Sequence, residues 1–339
     1  MASVMKSRAS FAFHSNHKIL LRHLCDGQFH SGEDLARSMS VTRSSVWTLV
    51  HDLQALGLEI HALPRKGYRL AQRFDLLDAA QVQAALQPGV HALLPTLEFH
   101  DVLDSTNSYL SASARAGAAT GTVVATEFQR AGRGRMGRSW MSSPGGSLCF
   151  SVLWHFADHA ALNGLSLAVG VAIIRALHAL GMMDVGLKWP NDIIWQRRKL
   201  GGILLDVSGE AHGRQACVIG IGLNLRLLHA QGCEIDQPWV DLAEITGGMP
   251  LDRNRLLAAV LDVLLPLLSE YGVSGLQGIR DEWQAYHHFD GQAVQVHQGD
   301  RCIFGRVAGI SGDGLLMLDC ESGEQRCVAS GEVRVRADE

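Results

Sequence analysis

Apolar positions at helical spacing open the chain. In HKILLRHLCDG, residues 19, 20, 21 and 24 are apolar and Gly27 ends the run, which predicts a short helix. In SGEDLARSMSVTRSSVWTLVHDLQALG, Ser31 can cap a helix running to about Met39, and Ser40-Val41 turns the chain. Thr42 can then cap a second helix whose Val46, Val50, Leu53 and Leu56 share one face before Gly57 stops it. The period changes to two in LEIHALPRKGYRL, which predicts a hairpin turning at Arg65-Lys66-Gly67. After a junction at 71–79, apolar strands (VVATEF, SLCFSVLW, GLKWPNDIIW, GGILLDV, CVIGIGLNL) lie close together in sequence, with helices at Gly164–Leu180 and Asp252–Tyr271. Neighbouring strands without helical crossovers favour α+β over a doubly wound sheet. From about Gly291 short alternating runs (AVQVH, CIFGRVAGI, GLLML, CVASGEVRV) predict a small β-barrel.

Composition sharpens the division. A chain of 339 residues, 47% hydrophobic, can bury two or three cores. Residues 1–74 hold ten Lys/Arg against five Asp/Glu, a net +5 within a chain of net −4, so a basic module sits on an acidic body. Two helices, a turn and a wing with basic residues at its tip are the form in which a second helix enters the major groove while wing cations touch phosphates. The outward side of that helix offers Thr42, Arg43, Ser44, Ser45, Thr48 and His51, and the wing offers Arg65 and Lys66. Trp47 and Leu49 find no obvious place in this scheme, one extending the core contact and the other lying against the first helix or the body. The seven cysteines (25, 149, 217, 233, 302, 320, 327) form no C-x-x-C pair, so they are expected to be reduced and mostly buried. The opening MASVMKSRASFAFH has no apolar signal core and the stretch around Leu165–Ile174 is too short to span a bilayer, which points to a cytoplasmic protein without a membrane partner. The 16 histidines show no metal-ligand spacing, and a metal-ligand set stays unknown.

Candidate chemistry lies in the middle region. AGRGRMGRSW (131–140) alternates glycines, which let backbone amides approach a ligand, with Arg133, Arg135 and Arg138, which suit phosphate or carboxylate. By itself such a run also suits nucleic acid. Its place between two predicted strands makes it a loop at a sheet end. Lys188 stands in an otherwise apolar strand, where a charge either meets an anion or snorkels at the strand end. The glycines and Asn224 of IGIGLN mark a bulge or a close approach to a ligand. Ser105, Thr106 and Asn107 follow a strand at a helix start, where capping is the commoner use.

Taken in order, DSTN (104–107), EFQRAGRGRMGRSW (127–140), KWPND (188–192), RKLGGILLD (198–206) and GIGLN (220–224), behind a winged helix-turn-helix, resemble the bifunctional bacterial biotin protein ligase and biotin operon repressor family. The resemblance covers nearly the whole chain. It implies a winged helix-turn-helix domain over 1–72, a catalytic domain like that of class II aminoacyl-tRNA synthetases over 79–285, and an SH3-like barrel over 286–339. It implies that biotin and ATP, with Mg²⁺, give biotinyl-5′-AMP, and that biotin then passes to a lysine of the carrier domain of acetyl-CoA carboxylase. Ser105, Thr106, Asn107 and Gln129 would surround biotin, with Arg133, Gly134 and Arg135 closing over it. Lys188 would reach between biotin carboxylate and α-phosphate, with Arg133 and Arg135 as catalytic partners. Arg138, Trp140 and Asn224 would face the nucleotide. The adenylate would promote a homodimer that binds operator DNA upstream of biotin-synthesis genes. Alternatives are a lipoate or octanoate ligase or transferase, and a biotin-sensing repressor without catalysis. Met136 stands where the family usually has arginine and Ser139 where lysine is common, which lowers the loop's charge. Trp47 and Leu49 likewise replace polar residues of the second helix.

Overall fold

The computed structural model describes residues 13–157, 162–209, 214–227, 235, 237–249, 251–298 and 301–335. Cys233 and the first twelve residues of the opening segment lie outside them. Among the described residues the first three helices are α1 (Ser15–Leu24), α2 (Gly32–Ser38) and α3 (Arg43–Ala55). Ser31 caps α2 by accepting from Asp34 N, and Thr42 caps α3 by accepting from Ser45 N. The hairpin β1 (Ile60–Leu63) and β2 (Gly67–Leu70) turns through Arg65, at φ +64°, and Lys66. Leu20, Leu24, Leu35, Val46, Val50 and Leu53 form the core, and Leu49 is buried with them, while Trp47 is exposed. Leu49 is thus a core residue because α3 turns it inward beside Val50, which removes it from the outward face.

The body is one seven-stranded sheet in the order β3-β4-β5-β9-β8-β7-β6, comprising β3 (Leu97–Leu103), β4 (Val123–Gln129), β5 (Ser147–Phe156), β6 (Gly186–Lys188), β7 (Asp192–Trp195), β8 (Arg198–Gly209) and β9 (Gln215–Asn224). Only β3 and β4 run parallel, joined by α5 (Thr106–Arg115); the other pairs are antiparallel, as expected for an α+β domain. One face packs on α6 (Leu165–Ala179) and α8 (Arg253–Ser274), with α4 (Ala79–Ala85) alongside α8. The Arg253–Gly278 stretch is apolar and long enough to cross a membrane by composition, yet here its Leu256, Leu257, Val260, Leu261, Leu264 and Leu268 are buried in the body's core.

After the short helices α7 (Leu242–Ile245) and α9 (Arg280–Tyr286), a second antiparallel sheet forms in the order β13-β12-β11-β10-β14. Its strands are β10 (Ala293–Gln298), β11 (Arg301–Ile310), β12 (Leu316–Asp319), β13 (Gln325–Val328) and β14 (Glu332–Val335). Val294, Val296, Ile310 and Leu316 continue the body's core. Here the cysteine expectation needs correction. Cys149 and Cys217 are buried, with thiols that burial pushes up to about 12, but Cys25 and Cys320 are half-buried and Cys302 and Cys327 exposed. The exposed pair lies on strands of the C-terminal sheet, where every second side chain leaves the core.

Candidate active site

A cavity of about 880 Å³ opens at the end of the large sheet, between the 130–142 loop and β14. Its polar floor is built by α5, β4 and β5. Ser105 caps α5 by accepting from Ser108 N at 3.4 Å, so the capping expectation and the pocket position both apply to it. Gln129 Oε1 accepts from Thr106 N at 2.8 Å and Thr106 Oγ1 at 3.2 Å. Ser151 Oγ lies 2.7 Å from Thr106 Oγ1 and 2.6 Å from Asn107 Oδ1. Asn107 Nδ2 donates to Leu204 O at 3.2 Å and Asp206 Oδ2 at 3.1 Å. Both amide oxygens are acceptors only, so the three hydroxyl contacts share just two hydroxyl protons. One contact lacks a proton.

The other end is cationic. Lys188 closes β6, with its ammonium 6.0 Å from the Phe289 ring centre. Burial holds its pKa below the ordinary lysine value, against the opposing pull of Asp192. Arg135 donates to Asn191 Oδ1 at 3.0 Å, and burial lowers its pKa too. Asp192 pairs with Lys199 at 2.6 Å. Asn224 lines the same cavity, its amide nitrogen donating to Lys199 O and Val240 O at 3.3 and 3.1 Å.

The Arg/Gly loop folds as a hairpin. Gly134 N donates to Arg138 O, Trp140 N to Gly132 O, and residues 135–137 make one helical turn at the tip. A side chain on Gly132 would meet Trp140 O at 2.4 Å. That glycine therefore serves the loop's own closure rather than a ligand's approach. Arg133 binds Asp206 through two nitrogens at 2.8 and 3.3 Å, Arg138 binds the Glu332 carboxylate, and Met136 stands 72% exposed at φ +54°. Of the two expectations for IGIGLN, the bulge does not form, since β9 keeps an unbroken register with β5 and β8, while Gly220, Gly222 and Asn224 line the cavity. These glycines make room for side chains, since a Cβ on Gly220 would lie 2.0 Å from Asn107 Oδ1 and one on Gly222 would lie 2.5 Å from the Trp140 indole.

Residues 17–69 match a family model described as an HTH domain, 99–224 the biotin/lipoate A/B protein ligase family, and 291–336 the biotin protein ligase C-terminal domain. The chain is 35% identical to the bifunctional ligase/repressor BirA of Escherichia coli K12 over 94% of this chain and 97% of that one. The chain belongs to the bifunctional biotin ligase/repressor family. It is also 32% identical to the biotin–[acetyl-CoA-carboxylase] ligase of Mycobacterium tuberculosis, over 68% of this chain and 85% of that one. A biotin protein ligase from Aquifex aeolicus, solved with biotin and ATP, superposes with a TM-score of 0.61 at 28% identity, covering 72% of this chain and all of the other.

Set against this family's motifs, the structure brings Ser105, Thr106, Asn107, Gln129, Arg133, Gly134, Arg135, Arg138, Trp140, Lys188 and Asn224 around one cavity. Thr42, Arg43, Ser44, Thr48, His51, Arg65 and Lys66 are exposed on α3 and the wing, while Ser45 is half-buried with its hydroxyl on Thr42 Oγ1 at 2.8 Å. Two residues of the cavity network lie outside the quoted motifs, Ser151 and Glu332, while Lys199 and Asp206 fall inside RKLGGILLD with no role assigned to them there. Ser151 had a signal, because Ser147, Cys149 and Ser151 alternate with apolar residues along β5. Asp206 closes a quoted motif but its partner Arg133 lies 73 residues away, and Glu332 had no signal, its partner Arg138 lying 194 residues away.

Proposed function

We propose that this chain joins biotin to ATP, giving biotinyl-5′-AMP and pyrophosphate, and then transfers biotin to a lysine of the carrier domain of acetyl-CoA carboxylase. The observation that carries this reading is one cavity with a neutral, proton-short amide and hydroxyl cluster at one end and Lys188 with Arg135 at the other. Biotin's ureido N–H groups would supply the missing hydrogen to the Thr106-Ser151-Asn107-Gln129 cluster. Its apolar body fits the remaining lining, in keeping with ligand sites of few polar and many apolar groups. Its carboxylate would then reach Lys188.

In the first step a carboxylate oxygen bonds to the α-phosphorus as the bond to the β-phosphate oxygen breaks, and pyrophosphate leaves with the electron pair. Two anions must meet. Lys188 and Arg135, already poorly solvated, stabilise the charge gathering between them, an effect worth about 3–4 kcal/mol for a well-placed donor. Mg²⁺ would arrive on the ATP phosphates. That mode needs only one or two protein carboxylates, and Asp192 and Glu332 line the cavity. In the second step the carrier amine attacks the acyl carbon, AMP leaves, and the Arg/Gly loop keeps water from the mixed anhydride. Asp192 holds the Lys199 ammonium at the cavity wall through their ion pair. The basic N-terminal module supports the regulatory half: with the adenylate bound, a homodimer would present two α3 helices to a palindromic operator and repress biotin-synthesis genes.

The deciding experiment is ATP-dependent transfer of labelled biotin to a purified carrier domain. Lys188→Ala is expected to slow adenylate formation by about 100-fold or more; equal rates would overturn the mechanism. Lipoate offered in place of biotin should not be transferred. A gel shift with DNA upstream of biotin-synthesis genes should respond to biotin plus ATP, and binding indifferent to both would remove the corepressor role.

A further inference from the structure

Trp47 is 54% exposed at the centre of a helix whose neighbours Val46, Leu49 and Val50 are buried. It sits one turn after Arg43 and Ser44 and shares the outward face with Thr48 and His51, which are also exposed. Its indole is held in place. The His51 ring lies 3.8 Å from it at 37°, and His51 Nδ1 is 2.9 Å from the Trp47 carbonyl oxygen, so that nitrogen donates and the imidazole is fixed against the indole. A single exposed aromatic side chain needs no function. A braced one on the groove-facing side of a recognition helix has a specific chemistry there.

We propose that Trp47, backed by His51, reads the 5-methyl group of a pyrimidine in the major groove. This rests on the DNA-binding reading above. An indole face has no affinity for the hydrogen-bonding edges of guanine, adenine or cytosine, and the apolar group the major groove displays is the thymine methyl. The wing cations Arg65 and Lys66 suit phosphates, which set register without reading sequence, and Arg43, exposed on the first turn of α3, suits a guanine edge. Ser44 and Thr48 are short, and Thr48 Oγ1 already donates to Ser44 O at 3.1 Å. Trp47 is therefore the residue on this face with the apolar area to meet a methyl group. 5-Methylcytosine carries the same methyl, so the two sources must be separated by experiment.

The test begins with selection from a random 30-base-pair duplex library by the full-length protein with biotin, ATP and Mg²⁺. The selected duplex is then resynthesised with deoxyuridine for each conserved thymine in turn, which removes only the methyl. One position per half-site should lose about fourfold in affinity for the wild type, the worth of one buried methyl group. Trp47→Ala should bind the thymine duplex more weakly by at least that factor and should show no further loss with deoxyuridine, as expected for two ends of one contact. Its salt dependence should match the wild type, because no phosphate contact is removed. Cytosine and 5-methylcytosine at the same position distinguish a methyl reader from a thymine reader: rescue by methylation supports the former, and its absence overturns the methyl assignment. Wild-type binding indifferent to deoxyuridine, or a Trp47→Ala protein that keeps full affinity, overturns the proposal and leaves Trp47 as a docking point for protein. If no duplex is enriched, while Trp47→Ala and wild type melt alike, the DNA-binding reading falls first and takes this one with it.

Discussion

Asp206 collects Arg133 through two nitrogens and Asn107 through its amide, so one carboxylate joins the Arg/Gly loop to the floor of the cavity. A bidentate guanidinium–carboxylate pair is both directional and stronger than a neutral hydrogen bond. Asp206→Asn removes the charge and keeps the shape, and the loop should open more often. The expected outcome is faster loss of biotinyl-5′-AMP, about tenfold for the 1–2 kcal/mol such a contact contributes, with adenylate formation less affected. Single-turnover trapping of released adenylate measures it, and an unchanged release rate would detach Asp206 from the loop's role. Lys188 gives a second expectation. Burial lowers its pKa, so the free protein loses this charge at a lower pH than an ordinary lysine would, while a bound anion pulls the pKa back up. KM for MgATP should therefore rise with alkaline pH while kcat changes less; a KM flat up to the normal lysine range would mean that Lys188 does not meet ATP. Thr106, Asn107 and Gln129 of the floor were legible because each sits in a short motif, whereas Ser151 lies outside every motif. The roles of the carboxylates were not legible, even for Asp206 at the end of RKLGGILLD, because a local pattern carries no record of a partner on another strand.

Strands and helices followed the apolar periodicity closely, including the caps at Ser31 and Thr42, because those signals are local and strong. What the pattern left open was the reason for glycine. Gly222 reads as a bulge or a close approach to a ligand, and the fold uses it as the slot for Trp140. Gly222→Ala should displace the indole, costing about 1–3 kcal/mol of stability as overpacking does and lowering ligand affinity at least about tenfold. Gly272 in α8 is the contrast: nothing lies within 4 Å of a Cβ there, so Gly272→Ala should add about 0.5–1 kcal/mol. Thermal melts of the two variants, with and without biotin, decide both. His287, just after α9, stacks on Trp283 at 4.5 Å, and among the described residues neither ring nitrogen has a hydrogen-bond partner. Burial, with His288 beside it, pushes its pKa from 6.5 down to about 3. Between those values the unfolded chain takes up a proton that the fold refuses, so stability is full above pH 6.5 and falls as pH drops. By pH 5 the loss is about 2 kcal/mol. Urea unfolding at pH 7.5 and 5 should show that much less pH dependence in His287→Phe; equal dependence would mean the imidazole is protonated within the fold.

Across the whole molecule, three successive residues of β4 face three different parts. Gln129 lines the cavity, Phe128 belongs to the apolar core of the helix-turn-helix, and Glu127 holds the connecting segment by accepting from Leu77 N. Arg253, buried at the start of α8, donates to Glu127 at 2.6 Å, to Asp75 O at 3.1 Å and to Ser147 O at 3.1 Å, while Asn254 binds Leu76 O and Asp78 N. The sequence pattern marked 71–79 as a junction between modules. It gave no sign that the junction is gripped, because the grip comes from a glutamate fifty residues on and an arginine beyond 250. If the ligand pocket biases how the DNA-facing module sits, the end of β4 with this ion pair is the shortest physical route between them. Glu127→Ala leaves Arg253 charged and buried, which should cost about 3–5 kcal/mol. Replacing both partners with apolar side chains, Glu127→Leu with Arg253→Met, should recover much of that stability, since an isosteric apolar pair avoids the desolvation penalty. It cannot restore the bonds to Leu77 and Asp75. The double variant should therefore melt above Glu127→Ala but below the wild type, since Leu77 N, Asp75 O and Ser147 O lose their partners, and should form adenylate normally, yet lose part of the gain in DNA affinity that biotin and ATP bring. Parallel melts, adenylation assays and DNA titrations with and without ligand separate the cases. A double variant with the full ligand-dependent gain would show that the coupling takes another path.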